Sequence, residues 1–132
     1  MISAGTERRA PVLTRHAFQA NPGQFRSVRH QVARSLQELD TDTRRRVGLL
    51  LGALADEWQH QNGLREELLI VDVEHLPERV RVEAFTHGVV AAETWRLIGE
   101  SVAPGFADHW GLERRHRSGA WFELEAADEP SA

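Results

Sequence analysis

The stretch of sequence that decides the fold is residues 106–125, FADHWGLERRHRSGAWFELE. In each half, every second residue falls on the same face of an extended chain, with charged residues between them. These residues are Trp110, Leu112 and Arg114 in the first half, and Ala120, Phe122 and Leu124 in the second. A period of two is typical of half-buried β-strands. The segment therefore predicts a helix end followed by two short strands, joined at Ser118-Gly119, that close a sheet at the end of a domain.

Two amphipathic helices are predicted upstream of this hairpin. In both, apolar residues recur at helical spacing, which places them on one face. The first helix is expected over Phe25–Leu39 and the second from about Thr43 to His60. Asp40 and Thr41 interrupt the period between them and supply an N-terminal capping signal for the second helix.

Two strands and a third helix are predicted between these helices and the terminal hairpin. Residues 67–73 are apolar on both faces, and residues 79–85 alternate, so the turn Leu76-Pro77-Glu78 between them predicts another hairpin. Residues 93–106 return to helical spacing. Pro104-Gly105 is expected to break or kink that helix near its end.

A short edge strand at residues 12–18 completes the predicted elements. Helices packed on one face of a mostly antiparallel sheet are typical of an α+β fold. We expect a two-layer α/β sandwich, with three helices on one face of a mixed, mostly antiparallel sheet. The domain would span residues 12–125, with flexible ends at residues 1–11 and 126–132.

The composition excludes several kinds of chemistry. A chain of 132 residues that is 41% hydrophobic suits one globular domain. Without cysteine, it has no disulfide, thiolate metal site or cysteine nucleophile, and its 16 basic residues are all arginine, which excludes a Walker or Schiff-base lysine. The net charge of -4 gives no reason to expect nucleic acid as a partner. Because no long apolar run or signal-peptide pattern is present, we expect a cytoplasmic protein without membrane contact.

The chain also resembles a known group of proteins. The runs RRRVGLLLGAL (44–54), RVRVEAF (79–85) and above all FADHWGLERRHRSGAWFEL (106–124) are similar to the small ATP-binding domains of bacterial anti-sigma factor kinases. Those domains belong to the GHKL superfamily of histidine-kinase-like ATPases. The resemblance covers about residues 12–125. It implies a Bergerat-like sandwich and a role in a partner-switching pathway that controls transcription.

The family carries a Glu-x-x-x-Asn pattern on its second helix, in which the acid activates a hydroxyl or water and the amide helps to hold magnesium. The matching positions here are Ala53 and Glu57. Alanine cannot act as a base, and a carboxylate in place of the amide repels phosphate. A shifted alignment with Glu57 as the acid and Gln61 as the amide keeps the spacing. The simplest interpretation of Glu57 and Gln61 is a solvated helix end.

The family's adenine-binding pattern, Asp-x-Gly-x-Gly, corresponds to residues 86–90, THGVV. Gly88 is retained, whereas Thr86 replaces the aspartate and is a weaker, neutral acceptor, and Val90 replaces the second glycine. The ten residues between Gly88 and Gly99 contain no glycine or proline, so they predict a helix and not a phosphate-binding lid. Gly99 matches one glycine of the lid or is a packing position in that helix.

Two functional hypotheses follow from the resemblance. In the first, this is a regulatory protein-binding domain resembling anti-sigma factors, which uses no cofactor and neither hydrolyses ATP nor transfers phosphate. In the alternative, it is an active ATP-binding anti-sigma factor serine kinase with ATP and Mg as cofactors, a divergent pocket, and Glu57 as base or magnesium ligand. The implied partner is a protein, a sigma factor or an anti-sigma antagonist, and self-association as a homodimer is a further expectation. We also expect the bulk of Trp58, Thr86 and His87 to fill part of the nucleotide pocket.

Histidine and arginine clusters give weaker signals. The predicted hairpin could bring His109 and His116 together, but two imidazoles do not complete a zinc site, and no metal is expected. The arginine clusters at 44–46 and 114–117 have no interleaved aromatic residues for stacking on bases. Solvated faces, or pairing with the carboxylates of a protein partner, explain these clusters more simply than contact with nucleic acid.

Overall fold

The computed structural model of the chain describes residues 12–19, 22–62, 68–88, 90–113 and 118–126. These residues form five strands and three helices: β1 (Val12–Phe18), α1 (Pro22–Ser35), α2 (Thr41–Asn62), β2 (Leu69–Leu76), β3 (Arg79–Phe85), α3 (Ala92–Val102), β4 (His109–Glu113) and β5 (Gly119–Glu125). The observed order of elements is the predicted one, and the α+β class is confirmed.

The strands form one sheet in the order β1-β2-β3-β5-β4. All four pairings between the described strands are antiparallel. The prediction of a mixed sheet is therefore replaced by a fully antiparallel one in this part of the chain. β5 lies between β3 and β4, so the segment that ends the domain also joins its last edge strand to the rest of the sheet.

One face of the sheet carries the helices and the hydrophobic core. α1 contacts β1, α3 contacts β4 and β5, and α2 lies between the two helices and contacts both. The sheet residues of the core are almost completely buried: Leu69, Val71, Val73, Val80, Val82, Ala84, Ala120, Phe122 and Leu124. They alternate along each strand with residues of the opposite face, which explains why the period of two in the sequence predicted this sheet.

The bounds of α1 and α2 differ from the prediction. α1 begins at Pro22, three residues before Phe25, because proline is favoured at a first helical position, where its missing N–H is not needed. The helix ends at Ser35, yet Leu36 and Leu39 remain buried in the turn that follows. Their apolar spacing therefore reflected burial and not helical structure. α2 is longer than predicted at both ends, Thr41–Asn62.

α3 ends at Val102 and not at the predicted Phe106. The N–H of Ala103 still donates to Gly99 O at 2.9 Å, but the next residues turn, and Gly105 has φ +90°. Pro104-Gly105 thus breaks the helix as expected, four residues earlier than the predicted end.

The conformation of Gly105 leads to a first prediction. Gly105→Ala should lower the free energy of unfolding by about 1–2 kcal/mol, because an L-residue with a side chain is strained at positive φ. An added Cβ would have no neighbour within 4 Å, so the cost is conformational only. Urea denaturation measures it. Gly105→Asn should cost less, since asparagine tolerates this region, and equal losses for Ala and Asn would contradict the explanation.

The turn of the terminal hairpin is not at Ser118-Gly119, so this part of the prediction is wrong. Gly119 is a strand residue that pairs with Glu113 on one side and Phe85 on the other. A Cβ at Gly119 would lie 2.5 Å from the carbonyl oxygen of Ala84, so the glycine permits close approach of β5 to β3.

Several predictions fall outside the described residues. These are the flexible segments 1–11 and 127–132, the arginine cluster 114–117 and the pairing of His109 with His116. Ala126, the first residue of the predicted C-terminal tail, is held by a 3.0 Å hydrogen bond from its N–H to the carbonyl oxygen of Glu78. Among the helices in the described part of the chain, none has the length and apolar character needed to cross a membrane.

Candidate functional site

Glu57, the candidate acid, lies in the contact between α2 and α3. Its Oε1 accepts a hydrogen bond from Gln61 Nε2 at 3.0 Å, and its Oε2 accepts one from the Ser101 hydroxyl of α3 at 3.1 Å. The side chains of Glu57 and Gln61 therefore share a helix face, as their spacing predicts, and bond to each other. Both are partly buried, and the carboxylate joins two helices, so the interpretation of a merely solvated helix end is wrong.

The next residue along α2 forms an aromatic stack with α3. Trp58 is 3% exposed and Trp95 is 1% exposed. Their ring centroids are 5.3 Å apart, with 26° between the ring planes. Both residues belong to the hydrophobic core, so the two indoles fill the space between α2 and α3. The Trp95 indole N–H is buried and has no hydrogen-bond partner among the residues that the structure describes.

Ala53 lies one helical turn before Glu57 on α2. It is partly buried and packs against the core. A methyl group at this position adds to the packing between the helices and the sheet, and it offers no group that could accept a proton or bind a cation.

Side chains in the segment after β3 alternate between buried and exposed positions. Thr86 is 3% exposed and Val90 is 4% exposed, and the Thr86 hydroxyl accepts a hydrogen bond from the N–H of Gly88 at 3.1 Å. His87 is exposed, and its ring meets the edge of Phe85 at 6.3 Å between centroids. Trp58 and Thr86 are both buried, as residues that fill part of a pocket would be. For His87 the expectation is wrong, because alternation beyond β3 turns this residue to the face of the sheet that the helices do not cover.

Gly99 is buried in α3 and receives the ring of Trp110 from β4. A Cβ built on Gly99 would lie 2.0 Å from Cζ3 of Trp110. Of the two interpretations offered by the sequence, the structure supports packing, since the indole covers the position that a lid glycine would present to phosphate. This contact also fixes the terminal hairpin to α3.

Together, these side chains do not fit a magnesium–ATP site of the family's kind. Ala53 has no carboxylate, both oxygens of Glu57 are engaged within the chain, and Gly99 is covered by Trp110. Among the described residues, no group of three or more histidine, aspartate or glutamate side chains is placed to hold a metal ion. The hydrogen bond of Glu57 with Ser101 and the stacked indoles join α2 to α3.

The uncovered face of the sheet carries paired charges that the sequence did not predict. Arg15 donates to both oxygens of Asp72 at 2.7 and 2.9 Å, and its guanidinium lies 5.4 Å from the centre of the Phe85 ring. The hydrogen bonds and the charge of Asp72 raise the pKa of Arg15. Arg81 lies 4.7 Å from the Trp121 ring. On this face, each of these two arginines therefore covers an aromatic ring and pairs with a carboxylate.

No protein-family model matches the chain, and no curated protein matches it significantly. The resemblance to anti-sigma factor kinases therefore rests on the residues quoted above, and a functional conclusion has to come from the geometry of the α2–α3 contact and from the charges on the surface.

Proposed function

We propose that this protein is a regulatory protein-binding domain resembling anti-sigma factors, which works in the cytoplasm and neither hydrolyses ATP nor transfers phosphate. The observation that carries the proposal is the stack of Trp58 on Trp95 beside the bonded carboxylate of Glu57. In a histidine-kinase-like scaffold, this contact between α2 and the following helix is where the nucleotide pocket would open. Here the chain's own side chains occupy it.

The energetic cost of opening this contact supports the proposal. Losing the burial of one large aromatic side chain costs about 3–5 kcal/mol. A micromolar ligand contributes about 8 kcal/mol of binding free energy, so a nucleotide that had to displace one indole would retain only millimolar affinity. Opening the contact would also break the hydrogen bond between Ser101 and Glu57.

The residues at the positions of the catalytic base and the phosphate-binding lid support the same conclusion. A general base has to lie within hydrogen-bond reach of the hydroxyl that it deprotonates. Glu57 is the one carboxylate at the two matching positions, and its oxygens already accept from Ser101 and Gln61. The kinase alternative needs this carboxylate to be free, together with a phosphate-binding lid that the helix Ala92–Val102 replaces.

Thermal denaturation with and without millimolar Mg-ATP tests the loss of nucleotide binding. A ligand at 100 times its dissociation constant stabilises a protein by about 2.7 kcal/mol, which raises Tm by several degrees in a domain of this size. We expect no shift relative to Mg alone. A saturable shift that requires both Mg and ATP would refute the proposal and favour the active kinase.

The protein-binding part of the proposal is tested separately. We expect the purified chain to form a saturable complex with a sigma factor or an anti-sigma antagonist of the same organism, without added nucleotide. Sedimentation velocity of the mixture measures this complex. The same experiment on the chain alone measures its self-association. A complex that forms only in the presence of Mg-ATP would contradict the proposal, because a domain with a filled contact cannot use nucleotide as a cofactor for binding.

A further inference from the structure

The arginines of α1 differ from most other arginines in the described part of the chain. Arg26, Arg29 and Arg34 are exposed, and none of them forms an ion pair with a described residue. Six other arginines pair with carboxylates: Arg15, Arg45, Arg46, Arg79, Arg81 and Arg96. α1 itself, PGQFRSVRHQVARS, contains no acidic residue. It is a basic helix on a chain whose net charge is -4.

The arginines of α1 lie on the side of the helix that faces away from the core. Val28 and Val32, on the opposite side of α1, are 5% and 2% exposed and belong to the core. Arg26, His30 and Arg34 follow one another at intervals of four residues, so they form a row with about 6 Å between successive positions along the helix axis. This row cannot turn inward without breaking the core.

Arg29 extends the row toward α2. Its Nε lies 3.1 Å from the position that a Cβ of Gly48 would take, so the guanidinium passes close to the α2 backbone. Leu49, the next residue of α2, is 43% exposed. Arginine is enriched at protein–protein interfaces relative to the rest of the surface.

We propose that the α1 arginine surface, defined as Arg26, Arg29, His30 and Arg34, binds an acidic helical segment of the protein partner. The inference rests on the proposed function, since it names the surface through which a protein-binding domain acts. Guanidinium groups bind carboxylates with two parallel hydrogen bonds. Glutamates spaced four residues apart on a partner helix repeat at the same interval of about 6 Å, so several pairs form at once.

Charge and surface chemistry favour a protein over other anionic partners. A nucleic acid would meet a chain with net charge -4, and α1 presents no exposed aromatic residue for stacking, because Phe25 packs against the core. An anionic membrane would need an apolar helix face to insert, and that face of α1 is already buried against the sheet and α2.

The test uses a fluorescent helical peptide of about 20 residues that carries glutamates at intervals of four, and an isomer of identical composition with the glutamates dispersed around the helix. Fluorescence anisotropy measures binding to the intact chain at low and physiological salt. The test variant is R26Q/R29Q/R34Q. The matched control is R45Q/R79Q/R96Q, which changes the net charge by the same amount at arginines that already have partners in the chain.

We expect the α1 variant to bind the regular peptide about 30-fold more weakly or worse, and the control variant to stay within about threefold of the unmodified chain. The isomer should bind more weakly than the regular peptide. Circular dichroism should show that both variants remain folded, since all substituted side chains are exposed or partly exposed.

Three results would overturn the inference: equal losses in both variants, no binding of the regular peptide by the unmodified chain, or stronger binding of a single-stranded RNA than of the peptide. None of these measurements involves Mg-ATP, so they leave the thermal-denaturation test of the proposed function untouched. If a complex with a sigma factor forms and persists after the α1 substitutions, the inference about the α1 arginine surface is refuted and the proposed function is not.

Discussion

Gly99→Ala is expected to lower the free energy of unfolding by about 3 kcal/mol, at the upper end of the cost of overpacking. The added Cβ would lie 2.0 Å from Cζ3 of Trp110, so the indole or α3 has to move. The sign of this change in the free energy of unfolding is informative, because alanine normally stabilises a helix by about 1 kcal/mol relative to glycine. Urea denaturation followed by circular dichroism measures the change.

Gly48→Ala is the matched control for Gly99→Ala. Gly48 is also a buried helical glycine, but its nearest neighbour would be the flexible end of Arg29, at 3.1 Å. We expect this substitution to be neutral or stabilising by up to about 1 kcal/mol. In a double-mutant cycle, Trp110→Leu should recover part of the loss caused by Gly99→Ala. Equal effects of the two glycine substitutions would show that Trp110 does not pack on α3 in this way.

Trp58→Ala is expected to destabilise the protein by about 3–5 kcal/mol, the range for truncating a large buried aromatic side chain. The indole is 3% exposed and stacks on Trp95, so its removal leaves a cavity between α2 and α3 and exposes a second ring. Denaturant unfolding measures the loss of stability, and near-ultraviolet circular dichroism follows the loss of the stacked pair.

Trp121→Ala provides the comparison, because Trp121 is partly exposed on the uncovered face and is covered only by Arg81 and its strand neighbours. Its loss should cost clearly less than that of Trp58. Trp58→Ala should also remain without thermal stabilisation by Mg-ATP, since the carboxylate of Glu57 still replaces the magnesium-holding amide and repels phosphate. A cost below about 1 kcal/mol for Trp58→Ala would contradict a tightly packed α2–α3 contact.

The fold was largely predictable because its strands alternate and its helices are amphipathic. Alternation in residues 79–85 and 119–125 follows directly from a sheet with one buried face. Where the sequence predicted the end of a helix or strand wrongly, the cause is local. Pro104-Gly105 stops α3 before its apolar spacing ends, and Gly119 belongs to a strand because β3 approaches closely there.

The candidate site was less predictable because its contacts join distant parts of the chain. The sequence identified Ala53, Glu57 and Thr86 as altered positions. It gave no sign that Ser101 would bond Glu57 or that Trp95 would stack on Trp58, since helical periodicity indicates a buried side and not which residues meet there. Likewise, the pair Arg15 and Asp72 is separated by 57 positions and forms only once β1 and β2 are in register.

Filling of the α2–α3 contact is tested most directly by the indole N–H resonances of the four tryptophans during a titration with Mg-ATP. Trp58 and Trp95 lie in the contact, Trp110 packs on Gly99 of α3, and Trp121, on the uncovered face of the sheet, serves as the internal reference. We predict that all four resonances remain unchanged up to millimolar Mg-ATP. Saturable shifts of Trp58 and Trp95, with Trp121 unaffected, would show that nucleotide enters between the helices and would contradict the proposed function.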